Sequence, residues 1–132
     1  MSVGLLLVSH SRRLADGLRE LVDQVVQGRV PLAVAAGAED GGLGTNALAI
    51  AAAVESLAGA DGVVVLMDLG SAVLSAETAL EQLEAGLRER VRLADAPLVE
   101  GAMAAAVEAS LGSGLDAVLA TAEAARDAGK LV

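Results

Sequence analysis

Val3-Gly4-Leu5-Leu6-Leu7-Val8 is a short, unbroken apolar run that ends at Ser9-His10-Ser11. Apolar residues at both odd and even positions fit a strand buried on both faces, as in a parallel sheet. Beyond it Leu14, Leu18, Leu21, Val22 and Val25 recur at helical spacing, with Asp16, Arg19, Glu20 and Asp23 on the wet side, until Gly28 stops the pattern. This is one strand–turn–helix unit, and the chain repeats it. Residues 30–36 read as a second strand, with Pro31 near its start, where a missing donor is tolerated. The glycine-rich loop 37–44 follows, and Thr45 or Asn46 can cap a helix bearing Leu48, Ile50, Ala51, Val54 and Leu57. The third strand, 62–67, runs through Asp68-Leu69-Gly70-Ser71 into a helix with Val73, Leu74, Ala76, Leu80 and Leu83. Residues 91–94 make a weaker fourth strand nearer an edge. Two Ala-rich helices, 99–111 and 115–128, are split by Gly112-Ser113-Gly114.

Strands alternating with helices predict an α/β fold: a mainly parallel open sheet of four or five strands with helices on both faces, in a single domain over 1–132. Right-handed crossovers bring the carboxyl ends of all strands to one rim, where such sheets bind ligands. The unusual polar residues gather at that rim: Ser9, His10 and Ser11 after the first strand, 37–45 after the second, Asp68 and Ser71 after the third.

Composition narrows the function. The chain has no Phe, Trp or Tyr, so its core is aliphatic and stacking platforms for single-stranded nucleic acid are missing. A net charge of −9 with no basic run opposes nucleic acid and anionic membranes. No apolar run reaches the roughly 18 residues of a membrane helix, and the first one is too short, and lacks the basic flank, for a signal peptide. Cysteine is absent, so disulfides and thiolate chemistry are excluded, and cytoplasmic residence is the default. One histidine without cysteine makes zinc a poor expectation. Lys130, the only lysine, stands at the wrong end of the chain for a Walker loop, and Gly42-Leu43-Gly44-Thr45-Asn46-Ala47 matches the dinucleotide fingerprint only after the wrong strand. An anion-cradling loop is the better reading of that segment.

His10 is therefore the sharpest feature. A lone histidine is commonly a satisfied structural side chain, but this one sits at a strand-to-helix turn, where free N–H groups await an anion. A neutral imidazole nitrogen can attack phosphorus without a base. Asp68 either orients and charges the ring, as the acid of a hydrolytic triad does, or caps the following helix. Arg12 and Arg13 occupy a first helical turn, where the macrodipole disfavours cations. They are either solvated and paired with Asp16, or contacts to phosphate or an acidic partner.

The chain resembles the phosphotransferase subunit of the phosphoenolpyruvate-dependent dihydroxyacetone kinases, relatives of mannose-family enzyme IIA. The resemblance rests on Val8-Ser9-His10-Ser11, Ala35-Ala36-Gly37, Gly44-Thr45 and, most specifically, Met67-Asp68-Leu69-Gly70-Ser71-Ala72-Val73-Leu74-Ser75-Ala76-Glu77. It covers roughly residues 1–85. Sugar-transporting relatives show Thr-His-Gly and Gly-Gly-Ser-Pro where this chain has Ser-His-Ser and Gly-Ser-Ala, so the dihydroxyacetone branch fits better. The resemblance implies that His10 accepts phosphate from the histidine phosphocarrier protein. It then passes the group to ADP on the nucleotide-binding kinase subunit. It also implies a homodimer, and a separate donor protein, since the chain ends at Val132 without a carrier-like domain. His10 is then the nucleophile and leaving group, with Asp68 its orienter. Groups of Ser9, Ser11, Gly37, Thr45 and Ser71 would hold the phosphoryl oxygens. No cofactor or metal is required, any Mg²⁺ belonging to the partner's nucleotide. Three rivals stand beside this: a mannose-family sugar phosphotransferase, a non-catalytic phospho-regulated module, and a receiver-like domain phosphorylated on Asp68. The run 101–107 has no charge on any face, which predicts dimerisation through the Ala-rich helices unless the last helix covers their second side.

Overall fold

The structure, a computed structural model, describes residues 2–131. Four strands, β1 (Val3–Ser9), β2 (Leu32–Ala36), β3 (Gly62–Met67) and β4 (Val91–Leu93), form one sheet in the order β2-β1-β3-β4, every pair parallel. Among the described residues the helices are α1 (Arg12–Val26), α2 (Ala47–Ser56), α3 (Gly70–Leu80), the single-turn α4 (Ala85–Arg88), α5 (Leu98–Ser110) and α6 (Leu115–Ala124). The expected sheet of four or five strands thus has four. The second strand starts at Leu32, two residues later than the apolar run, and Pro31 before it contributes only its carbonyl, which accepts from the Leu5 N–H at 2.9 Å. The last helix ends at Ala124 and tightens into a 3-10 turn, Ala125–Asp127.

Strand alternation divides the core in two. Val3, Leu5 and Leu7 of β1, with Val64 and Leu66 of β3, face α1, α5 and α6. Leu6 and Val8, with Val63, Val65 and Met67, face α2 and α3. Neither half contains an aromatic ring, so the layers close through small side chains at short range. On α5 the buried row is Leu98, Gly101, Ala102, Ala105, Ala106 and Ala109. Gly101 marks the closest approach: a Cβ there would lie 2.9 Å from the Ala96 Cβ and 3.3 Å from Leu66 Cδ1.

Two sequence expectations change here. The second apolar side of α5 is covered within the chain by α6, whose Val118 and Ala122 are fully buried, so the argument for dimerisation through α5 loses its premise. On α1 the residues that meet the sheet are Ala15, Leu18, Val22 and Val26. Leu14, Leu21 and Val25 stay 47–49 % exposed, because a helix with two adjacent apolar lanes can turn only one of them onto a sheet.

Glycine substitutions test this packing. Gly101→Ala should destabilise the protein by up to about 2 kcal/mol: overpacking of about 1–3 kcal/mol is only partly offset by the helix-propensity gain of about 1 kcal/mol. Gly17→Ala, where an added Cβ meets nothing within 4 Å, should stabilise it by about 0.5–1 kcal/mol. Urea unfolding followed by far-ultraviolet circular dichroism measures both, and equal effects of the two changes would contradict the close contact at Gly101.

Candidate active site

The sheet order places the site. The chain leaves β1 for β2 on one side and returns past it to β3 on the other, so the carboxyl ends of β1 and β3 meet where the order reverses. Val8 pairs with Met67, and the Asp68 N–H donates to the Val8 carbonyl at 3.2 Å. The next side chains along the two strands therefore face each other across the rim.

Asp68 is the hub. Its Oδ2 accepts from the His10 backbone N–H at 2.8 Å and from the Ser9 hydroxyl at 2.9 Å. Its Oδ1 accepts from the Leu69 N–H at 2.7 Å and lies 2.9 Å from His10 Nδ1. Four donors fill the acceptor sites of one carboxylate. Burial acts to raise the Asp68 pKa, but the bonds from the His10 N–H, the His10 ring, the Ser9 hydroxyl and the Leu69 N–H outweigh it and hold the carboxyl below its ordinary value. The group is thus an acceptor only, and it obliges Nδ1 to carry the ring proton. The lone pair is left on Nε2, which stands 2.7 Å from the Ser71 hydroxyl, a donor to it in this tautomer. The histidine side chain is 24 % exposed and Asp68 11 %, so the ring is held from within and reachable from outside.

The other expected phosphate ligands divide. Ser71, in the first turn of α3, adjoins Nε2. Ser9 is fully buried, its hydroxyl donating to Asp68 and accepting from the Ser11 N–H at 3.1 Å, so it braces the turn instead. Ser11 caps α1 by accepting from the Leu14 N–H. Gly37, at φ +83°, spends its N–H on the Ser9 carbonyl at 3.1 Å and turns the chain into the glycine loop. Gly44 returns that loop to the site by donating to the His10 carbonyl at 2.9 Å. Thr45 meets α3 one turn beyond Ser71, its hydroxyl 2.6 Å from that of Ser75, and Asn46 is the residue that caps α2. Sequence reasoning missed Ser75; its signal was the four-residue spacing from Ser71, which sets both on one face of α3.

Asp68→Asn tests the hub. In either orientation the amide NH₂ points at a backbone N–H, that of Leu69 or of His10, and in the first the ring must also give up its tautomer. The variant should lose about 1–3 kcal/mol of stability at neutral pH. Because the folded-state pKa is lowered, the native advantage is present above the ordinary carboxyl value of 3.8 and fades as pH falls through the lower folded value. Denaturation of both proteins from pH 7 to pH 2 should show the gap closing in acid, and a constant gap would remove the charge from the explanation.

Residues 4–119 match the family model of the PTS system fructose IIA component. The phosphoryl donor subunit DhaM of PEP-dependent dihydroxyacetone kinase from Klebsiella michiganensis is 46 % identical over 129 residues, 96 % of this chain and 27 % of that relative. The Escherichia coli DhaM is 48 % identical over 120 residues and 25 % of its own length is covered. The chain thus spans about a quarter of these relatives, whereas it matches 94 % of a Listeria innocua DhaM, with 42 % identity over 89 % of this chain. Among solved structures, the unknown-function protein EF1359 superposes with a TM-score of 0.86 at 36 % identity, covering 98 % of this chain and 97 % of the other. The mannose/sorbose-specific IIA subunit of Enterococcus faecalis shares the fold at a TM-score of 0.63 and 21 % identity, covering 100 % and 96 %. With the family model running through all four strands and a DhaM of nearly equal length among its relatives, the chain belongs to the PTS system fructose IIA component family, beside the phosphoryl donor subunits of dihydroxyacetone kinase.

Proposed function

We propose that this chain relays a phosphoryl group on His10 Nε2, from the histidine phosphocarrier protein to ADP on the nucleotide-binding subunit of a dihydroxyacetone kinase, in the cytoplasm. The observation that carries the reading is the division of the imidazole: Nδ1 is fixed on a saturated carboxylate, and Nε2 is left as the nucleophile. In the first step the N–P bond of the donor's phosphohistidine breaks as a bond forms to Nε2, and the electron pair returns to the donor ring. The Nδ1 proton stays against Asp68, whose charge offsets the positive ring formed on attack. The Ser71 hydroxyl turns from the consumed lone pair to a phosphoryl oxygen. In the second step an ADP β-phosphate oxygen attacks, the Nε2–P bond breaks, and ATP forms. Such a transfer asks the protein chiefly for alignment and charge placement. The receiver alternative is disfavoured because every acceptor site of Asp68 is already taken. No described helix is long and apolar enough to cross a membrane.

The reading includes a homodimer, now assigned to the exposed lane of Leu14, Leu21 and Val25 on α1 beside Val99 of α5. Sedimentation at micromolar concentration should give twice the chain mass, and Leu21→Glu should shift it to monomer; a wild-type monomer would overturn this part.

Phosphoenolpyruvate, enzyme I and the carrier protein should add one acid-labile, base-stable phosphate, lost in His10→Ala. Asp68→Asn should slow the transfer by about 10²-fold or more, the scale of losing tautomer control or charge stabilisation. A base-labile adduct on Asp68 would replace this mechanism with the receiver one.

A further inference from the structure

We propose that Arg12 and Arg13 bind the phosphate chain of the acceptor nucleotide, which makes them specificity residues for the second half-reaction. This rests on the relay reading above and adds residues that it does not use.

The argument starts from charge. Residues 30–87, which supply β2, α2, β3 and α3, contain no lysine or arginine. Around Nε2 the groups are therefore neutral or, at Asp68, negative. A phosphohistidine and a nucleoside diphosphate are both multiply charged anions, and bringing them within bonding distance needs positive charge from somewhere. Most of the chain's other cations are occupied or remote. Arg88 and Arg90 precede β4 at the opposite rim and hold backbone carbonyls, Arg126 pairs with Asp95, and Lys130 with Glu100. Arg12 and Arg13 begin two residues after His10.

Their surroundings agree. A cavity of about 340 Å³ lies between the start of α1 and the glycine loop, lined by Ser11, Arg12, Arg13, Gly41, Gly42 and Leu43. The same loop bonds to the His10 carbonyl through Gly44, so one wall of the cavity is tied to the backbone of His10. Arg12 reaches Asp16 only at 3.8 Å, with both side chains more than half exposed, which is a weak hold. Arg13 has no ion pair or side-chain hydrogen bond among the described residues. Of the acidic loop side chains, Asp40 is turned onto the Gly42 N–H at 2.9 Å. Two guanidiniums in a first helical turn oppose the macrodipole, and their forked donors match phosphate oxygens.

The test separates the two half-reactions in the full chain. Wild type, Arg12→Gln/Arg13→Gln and Arg12→Lys/Arg13→Lys are phosphorylated from phosphoenolpyruvate, and the rate is recorded. Each phosphoprotein is then isolated and mixed with the nucleotide-binding subunit, loaded with ADP or stripped of it. In the glutamine variant the acceptor rate should fall at least about tenfold further than the donor rate, since losing even one of the two charge-assisted contacts is worth about that much. The lysine variant should recover part of it, and the variant's loss of affinity should be confined to the ADP-loaded partner. Equal losses in both half-reactions, or with the stripped partner, would overturn the assignment in favour of a role in holding the glycine-rich loop or the partner protein. Wild-type phosphoprotein that delivers nothing to ADP would instead overturn the relay reading itself.

Discussion

One carboxylate organises the working end of this molecule. Asp68 lies 58 and 59 residues from the groups of His10 and Ser9 that it binds, yet it takes four donors from the ends of β1 and β3 at 2.7–2.9 Å. A half-buried acceptor with all its sites filled has little freedom to move, and each donor it satisfies would cost stability if left alone. The same bonds that join the two strand ends also choose the histidine tautomer. Structure and electrostatics share these four contacts, so Ser9 matters to the site although it never faces Nε2.

The rest of the fold holds that hub in place by close packing. An aliphatic core lacks large rings to lock layers together, and it depends on many short contacts between small side chains. The row of alanines and Gly101 on α5 lets that helix sit close over β3, while α6 closes its outer side. The helices α2 and α3 bring Thr45 against Ser75 on the other face, which fixes the glycine loop beside the start of α3. Ser71 is thereby held at the open ring nitrogen by an element that is packed rather than by a free loop.

Hydroxyls and N–H groups near the histidine fall into two sets. Those of Ser9, Ser11, Gly37, Gly44 and Thr45 are engaged in capping, bracing or closing the turns. Ser71 meets the ring at its exposed side. This division explains how a site with so many polar residues stays ordered while leaving one nitrogen accessible.

The sequence by itself determined the alternation of strands and helices, the parallel sheet and the position of His10 at its carboxyl rim. These follow from local periodicity, which needs no knowledge of distant residues. It also singled out Asp68 and Ser71 as neighbours of the histidine, since strand ends on one rim share a surface. Only the tertiary structure decided which polar group meets which. Ser9, Gly37 and Thr45 have the right chemistry for phosphate, but their partners are set by strand order and helix rotation. The lane of α1 that meets the sheet, and the covering of α5 by α6, were likewise open. An apolar stripe states that a surface must be buried, whereas the element that buries it is chosen by competition among all surfaces in the folded chain.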